Sequence, residues 1–180
     1  DGSVDENVFA YSNRVGEERA VILYHNRFAD TRGWVHTSVA YAVKDGEGGR
    51  QLVRKTLAEG LGLHTDPGWF VIFRDATSGL EYLRNCQDLA AQGLYAELNA
   101  YKSHVFLDFR EVLDDAQGHY AQLCAQLSGR GVPNVGEALR ELTLKPVLEP
   151  YRALVSAPTF KWFMAQRSGT AEQVEAKRLA

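Results

Sequence analysis

The stretch that decides the fold class is LYAELNAYKSHVFLDFREV, which covers residues 94–112. Aromatic and β-branched residues are frequent in it, and both kinds favour β-strands. Its second half alternates between two predicted faces. One face holds Tyr101, Ser103, Val105, Leu107 and Phe109, and the other holds Lys102, His104, Phe106, Asp108 and Arg110. The pattern predicts one long strand.

The spacing of apolar residues changes after this stretch. An amphipathic helix is indicated by the helical spacing of Tyr120, Leu123, Cys124 and Leu127. Asn134 is expected to cap a helix over residues 135–144, because its side chain can accept from a free N–H group of the first turn. Pro146 and Pro150 are expected to separate that helix from a further one over residues 150–156.

The residues before the stretch predict mostly strands. Two hairpins are expected, one from residues 7–14 and 19–27 and one from residues 69–76 and 80–85. A strand is predicted over residues 34–43, and short helices over residues 50–63 and 86–93. Because strands come first and helices follow, the order predicts an α+β protein. We expect an antiparallel β-sandwich-like domain over residues 1–112 and a helical extension over residues 113–180.

Composition narrows the functional class. The chain has 180 residues, 45% of them hydrophobic, and its net charge of −3 is mixed along the sequence. No basic stripe for nucleic acid is visible, and no apolar run reaches the roughly 18 residues of a membrane span. We therefore expect a cytoplasmic protein that binds neither nucleic acid nor a membrane. The first residue is Asp1 rather than Met, so we expect a piece of a longer polypeptide.

Six segments carry a resemblance to a known family. They are DENVFAYSNR, RAVILYHNRFADTRGW, KTLAEGLGLH, FVIFRDATSGLEYLRN, LYAELNAYKSHVFLDFREV and GRGVPNVGEALREL. In this order they resemble the region after the catalytic barrel in bacterial α-amylase-family glycoside hydrolases, over residues 5–142. The resemblance implies an accessory role for this chain, packed on the (β/α)8 barrel of the same polypeptide, in an enzyme that hydrolyses or transfers α-glucans.

No catalytic residue is carried over from that family. Its catalysis uses an Asp nucleophile, a Glu acid/base and a second Asp at the ends of barrel strands. This chain lacks the repeated strand–helix pattern of a barrel and the motifs around those residues. The expectation is therefore a chain without catalytic residues and without a cofactor.

Carboxylates in the predicted strands are the candidates for acid–base chemistry, namely Asp75, Glu81, Glu97, Asp108 and Glu111. Asp75 and Glu81 flank one hairpin turn, so they are candidates for the pair that glycoside hydrolysis requires. The alternative is that both are solvated and face neighbouring arginines. A second polar cluster joins His25 and Asp30, whose residue types suit either acid–base work or a turn.

The sequence contains only weak signals for a metal site or a disulfide. His36, His64, His104 and His119 are scattered without paired spacing, so no metal site is expected. Cys86 and Cys124 lack the CxxC spacing, and the sequence leaves open whether they are free thiols or a disulfide.

Aromatic residues are the candidates for carbohydrate binding, because an exposed ring can stack on the apolar face of a sugar. Trp34 and Trp69 stand at strand entrances, and Tyr82, Tyr95 and Tyr101 lie in or beside predicted strands. The alternative is that these rings fill the core. A module that binds carbohydrate or protein independently of any barrel is the second functional hypothesis.

Overall fold

The computed structural model describes residues 3–44, 46 and 48–165. The protein is a mixed α+β structure with antiparallel sheets. Its strands are β1 Val8–Val15, β2 Glu18–His25, β3 Thr31–Val35, β4 Tyr41–Lys44, β5 Arg50–Val53, β6 Trp69–Asp75, β7 Glu81–Asn85, β8 Leu94–Leu98 and β9 Ser103–Leu113. Its helices are α1 Leu57–Leu61, α2 Cys86–Gln92, α3 His119–Leu127, α4 Val135–Leu154 and α5, which covers residues 157–165.

A five-stranded antiparallel sheet forms the centre, with strand order β1-β2-β9-β6-β7. Both predicted hairpins, β1–β2 and β6–β7, are present in it. The long strand β9 lies in the middle and is hydrogen-bonded to one hairpin on each side. Two smaller ribbons, β3–β8 and β4–β5, complete the β structure. A sandwich of two facing sheets stays a prediction.

The main core lies on one face of this sheet. Helices α1 and α2 and strand β8 supply apolar side chains to it, including Leu61, Leu89 and Leu98. From the sheet, Val71 of β6 and Phe109 of β9 contribute to the same cluster. A capping box in which Thr56 and Glu59 bind each other's backbone N–H starts α1, and Gly62 in the left-handed conformation ends it.

The opposite face is divided into two halves. Over β6 and β7, Phe70 stacks on Tyr120 of α3, and Leu123 of the same helix is buried. We define the apolar half-face as the side chains of Phe9, Tyr11, Tyr24 and Leu107, which are exposed over β1, β2 and the first half of β9. Alternation along paired strands places these four side chains on the same face as Phe70.

Three strand and helix predictions were wrong in their extent. The predicted helix over residues 50–63 is a strand, β5, followed by the short helix α1. The predicted strand over residues 34–43 is divided between β3 and β4. The predicted strand over residues 94–112 is two strands, because a turn with Tyr101 at φ 54° separates β8 from β9.

The two prolines do not end the helix in which they lie. Helix α4 continues through Pro146 and Pro150 to Leu154, contrary to the predicted break. Each proline removes one backbone hydrogen bond. Most side chains around both prolines are exposed, so water can reach the carbonyls that the prolines leave without a helical partner. The predicted cap is correct: Asn134 Oδ1 accepts from Glu137 N at 2.9 Å.

The chain divides into two compact units, Asp1–Leu139 and Arg140–Ala180. The first contains all nine strands and α1 to α3, and the last strand ends at Leu113. Exposed apolar residues of the second include Trp162, whose ring contacts Phe163 edge-on. The final part of the predicted extension, residues 166–180, lies outside the described residues. In the part that is described, no helix has the length and hydropathy of a bilayer span.

Candidate functional site

The β3–β8 ribbon presents an aromatic and charged outer face. In its antiparallel register Arg32 pairs with Glu97, and Trp34 pairs with Tyr95. All four side chains are exposed, whereas Leu94 and Leu98 on the other face are buried in the core. Because side chains alternate along each strand, the four outer residues form one continuous surface. We call these four residues the ribbon surface.

Trp34 is the largest element of the ribbon surface. It is 56% exposed, which is high for a residue type that is usually well buried. Its ring centroid lies 5.2 Å from that of Tyr95, with an angle of 59° between the planes. The two rings are therefore not coplanar. Tyr95 contacts the indole at an angle, and more than half of the Trp34 side chain stays exposed to solvent.

Polar groups flank the two rings. The Tyr95 hydroxyl donates to Glu97 Oε1 at 2.8 Å, and this hydrogen bond to a carboxylate raises the pKa of Tyr95. The bond fixes the phenol ring and orients the carboxylate. Arg32, directly across from Glu97, adds a guanidinium at the same edge. The ribbon surface thus combines an exposed indole with one anionic acceptor and one cationic donor.

The ribbon is held on the core by its contacts with α2. Gly93, at the junction of α2 and β8, has φ 86°, and a side chain there would collide with the backbone carbonyl of Val35. Next to β3, His36 Nε2 lies 3.1 Å from the carbonyl oxygen of Ala90. These close approaches set the position of β3, and so that of Trp34, relative to the first unit's core.

The other two aromatic candidates occupy different environments. Trp69 is half-buried and stacks on His64, with 4.1 Å between ring centroids. Tyr82 is also half-buried and stacks on Phe73 in the main core. Neither residue joins Trp34, so the three predicted sugar-binding residues do not form one surface. Tyr101, another aromatic candidate from the sequence, is 57% exposed.

The two hairpin carboxylates lie on opposite faces of the sheet. Glu81 pairs with Arg74 in the β6–β7 ladder, so it shares a face with Arg74, while Asp75 points the other way. The expectation that Asp75 and Glu81 approach each other is therefore wrong. The alternative is wrong about solvation, because both are buried, and correct about an arginine partner for Glu81, which binds Arg110.

Asp75 is held by a dense set of donors. Its oxygens lie 2.9 Å from His104 Nδ1 and 2.9 Å from the Ser78 hydroxyl, and they also accept from Thr77 N at 3.0 Å. Burial raises the pKa of this carboxyl, but the hydrogen bonds from His104, Thr77 and Ser78 outweigh it and leave the pKa lowered. Asp75 thus stabilises the β6–β7 turn and the start of β9.

Glu81 joins the sheet to the first residue of α4. It accepts from Arg110 Nη2 and from the backbone N–H of Val135, each at 2.8 Å. Burial raises its pKa, and these two interactions lower it further than burial raises it. Glu111 is similarly engaged, since it binds Arg19 Nη2 at 3.0 Å and His64 N at 2.7 Å. These carboxylates have structural partners.

The predicted His25 and Asp30 cluster is not assembled for acid–base chemistry. His25 is buried and its Nδ1 lies 3.2 Å from the carbonyl oxygen of Asn99, whereas Asp30 is exposed. Among the described residues, His25 Nε2 has no hydrogen-bond partner. Cys86 and Cys124 are free thiols, and burial raises the pKa of Cys86 to about 12. No group of metal-binding side chains occurs within the described ranges.

Comparisons with known proteins were made for the whole chain. Neither a family model, nor a curated protein, nor a solved structure matches it. The ribbon surface and the sequence resemblance are the features of this chain that bear on its function.

Proposed function

We propose that this chain is a non-catalytic accessory region of an α-amylase-family enzyme acting on α-glucans, and that it contacts glycan through Trp34. The family and the glucan class come from the resemblance of the ordered strand sequences. The glycan contact rests on one observation, the exposed indole that Tyr95 contacts on the ribbon surface.

The chemistry of the ribbon surface suits a sugar. A pyranose ring has an apolar C–H face and a rim of hydroxyl groups, each of which both donates and accepts hydrogen bonds. The exposed Trp34 ring can bind the C–H face, while Arg32 donates to hydroxyls at the rim and Glu97 accepts from them. Opposite charges on these two residues favour a neutral ligand over a charged one.

The proposal includes a partner, the (β/α)8 barrel of the same polypeptide. The apolar half-face supports this part, because exposed apolar patches commonly mark interaction sites. The sandwich-like arrangement also belongs to the proposal. It is supported by strand β8, whose Leu94 and Leu98 share the core with Val21 and Leu23 of the central sheet.

The carboxylates of the described residues support an accessory rather than a catalytic role. Glycoside hydrolysis needs two carboxyl groups on either side of one bond. Asp75 and Glu81 point to opposite faces, and each is engaged by buried hydrogen bonds. Their lowered pKa values also disfavour the protonated form that a general acid requires at neutral pH.

Calorimetric titration of the 180-residue chain with maltoheptaose tests the glycan contact. The variant Trp34→Ala is expected to weaken binding at least tenfold, because it removes the stacking surface. Trp162→Ala is the matched control, since Trp162 is 57% exposed and also contacts an aromatic ring at 5.0 Å. The control is expected to bind like the parent chain. Equal losses in both variants, or no binding by the parent chain, would contradict the proposal.

The residues encoded before Asp1 separate the accessory region from an independent binding module. A barrel that carries the Asp, Glu and Asp of the family supports the accessory role. A start codon a few residues before Asp1 supports the independent module. In the second case the Trp34→Ala result still decides whether that module binds glycan.

A further inference from the structure

A cleft opens in the central sheet where β2 and β9 separate. Their ladder ends at the pair Val21 and Phe106, although β2 begins at Glu18 and β9 continues to Leu113. A register shift between β6 and β9 accompanies the separation, and Asp108 stands there with φ 56°. A β-bulge of this kind bends its strand and re-aims side chains, and bulges are frequent beside functional sites.

The cleft has a volume of about 410 Å³, within the range of small-molecule sites. Val15, Ala20 and Leu107 form the apolar part of the cleft wall. The polar part of the cleft wall is formed by Asn13, Arg14, Glu17, Glu18 and Asp108. It therefore combines an apolar surface with several hydrogen-bonding groups.

The cleft is lined by charges of both signs, and most of them are paired. Arg14 lies 4.0 Å from Glu17, and Asp108 lies 3.4 Å from Arg74. Arg19, which also lines the cleft, is buried and binds Glu111 at 3.0 Å. A charged ligand would be attracted by one member of each pair and repelled by the other. A neutral ligand with many hydroxyl groups can donate to the carboxylates and accept from the guanidinium groups.

We infer that this cleft is a second binding site, for a neutral sugar of one or two rings. It is distinct from the ribbon surface, because it lies at the Glu18 end of β2. The other end of β2, at His25, adjoins β8 through the contact with Asn99. Asp108 lines the cleft with its backbone in the left-handed conformation, so its carboxylate is the acceptor that we assign to a sugar hydroxyl, and the apolar wall accepts the C–H face of the ring.

An NMR titration of the full 180-residue chain with maltose tests this inference, with the backbone amides assigned. We expect the amides of Ala20 and Leu107 to shift in a saturable way. Asp108→Asn replaces a charge-assisted hydrogen bond with a neutral one, and Asn tolerates the left-handed conformation, so the fold is retained. This variant is expected to weaken the cleft affinity about tenfold. Asn13→Ala is expected to weaken it by a smaller factor.

Asp66→Asn is the control, because it removes one exposed carboxylate in a turn outside the cleft. Equal affinity in Asp108→Asn and Asp66→Asn would overturn the inference, as would unmoved cleft amides at saturating maltose. Trp34→Ala separates the two sites. If it abolishes shifts on β3 and β8 while cleft shifts persist, the cleft is an independent site. If shifts occur on the ribbon alone, the cleft proposal fails and the glycan contact of Trp34 stands.

Discussion

Strands β1 and β6 each begin a hairpin of the same sheet, yet their environments are opposite. In β6 the consecutive residues from Phe70 to Phe73 are all buried, whereas in β1 only Val8 is half-buried and the other residues are exposed. Strand β6 has a neighbour on each side and α2 and α3 against its two faces, while β1 is an edge strand with α1 against one face. Both strands are rich in aromatic and β-branched residues, so the difference in burial comes from position in the sheet.

The largest effect is expected at the centre of β6. Phe73 is 1% exposed and its ring lies 5.0 Å from Phe109 and 5.1 Å from Phe106. Phe73→Ala is expected to lower the free energy of unfolding by about 3–5 kcal/mol, through lost burial and an unfilled cavity. Urea unfolding measures this loss of free energy. The matched control is Phe9→Ala, because Phe9 of β1 is 41% exposed. Similar losses of unfolding free energy in both variants would contradict the difference in burial between β6 and β1.

An intermediate effect is expected at the end of β6, and it depends on pH. The pKa of Asp75 is lower in the folded state than its ordinary value of 3.8. Ionised Asp75 therefore contributes stability above pH 3.8, which is lost as the pH falls through the lower folded value. Asp75→Asn is expected to lower stability at neutral pH by about 1–3 kcal/mol.

Urea unfolding at a series of pH values checks this prediction. The loss caused by Asp75→Asn should be largest at neutral pH and should diminish as the carboxyl of the parent chain becomes protonated. A loss that is the same at pH 2 and pH 7 would show that the charge of Asp75 is not responsible.

The smallest effect is expected on β1. Tyr11 is 59% exposed on the apolar half-face. Tyr11→Ser is expected to change the free energy of unfolding of this chain by less than about 0.5 kcal/mol, as is usual for exposed positions. Thermal unfolding checks it. A loss above 2 kcal/mol would mean that β1 is buried in solution, for instance by a partner on the half-face.

Local signals in the sequence were sufficient for part of the fold. Turn residues between alternating strands predicted the β1–β2 and β6–β7 hairpins, because hairpin register depends on nearby residues. The prediction of Asn134 as a cap was also correct, since this interaction is made within one helix turn.

Features that depend on distant contacts were not predicted. The bulge at Asp108 moves both Phe106 and Phe109 into the main core, although simple alternation assigns them to opposite faces. Residues 50–53 form a strand because β4 pairs with them. Helix α4 continues through two prolines, although each of them removes one backbone hydrogen bond.

Two of the four residues of the ribbon surface were candidates for carbohydrate binding from the sequence alone. Trp34 was named as a candidate for sugar binding, with the core as the alternative, and Tyr95 was named as a further candidate. Arg32 and Trp34 are two residues apart, as are Tyr95 and Glu97, so each pair shares a face of its strand. The pairing of β3 with β8 joins residues far apart in the chain, and no local pattern specifies it. The same limit applies to the cleft, which depends on where β2 and β9 separate.

The buried thiol of Cys86 gives this protein a built-in reporter of core opening. A thiol reagent reacts with the thiolate, and at pH 8 a group with a pKa of about 12 is almost entirely protonated. Because Cys86, the first residue of α2, is 0% exposed and packs in the main core, modification requires that helix to separate from the sheet. Its modification rate therefore measures how often the main core opens, and half-buried Cys124 gives an internal reference in the same molecule.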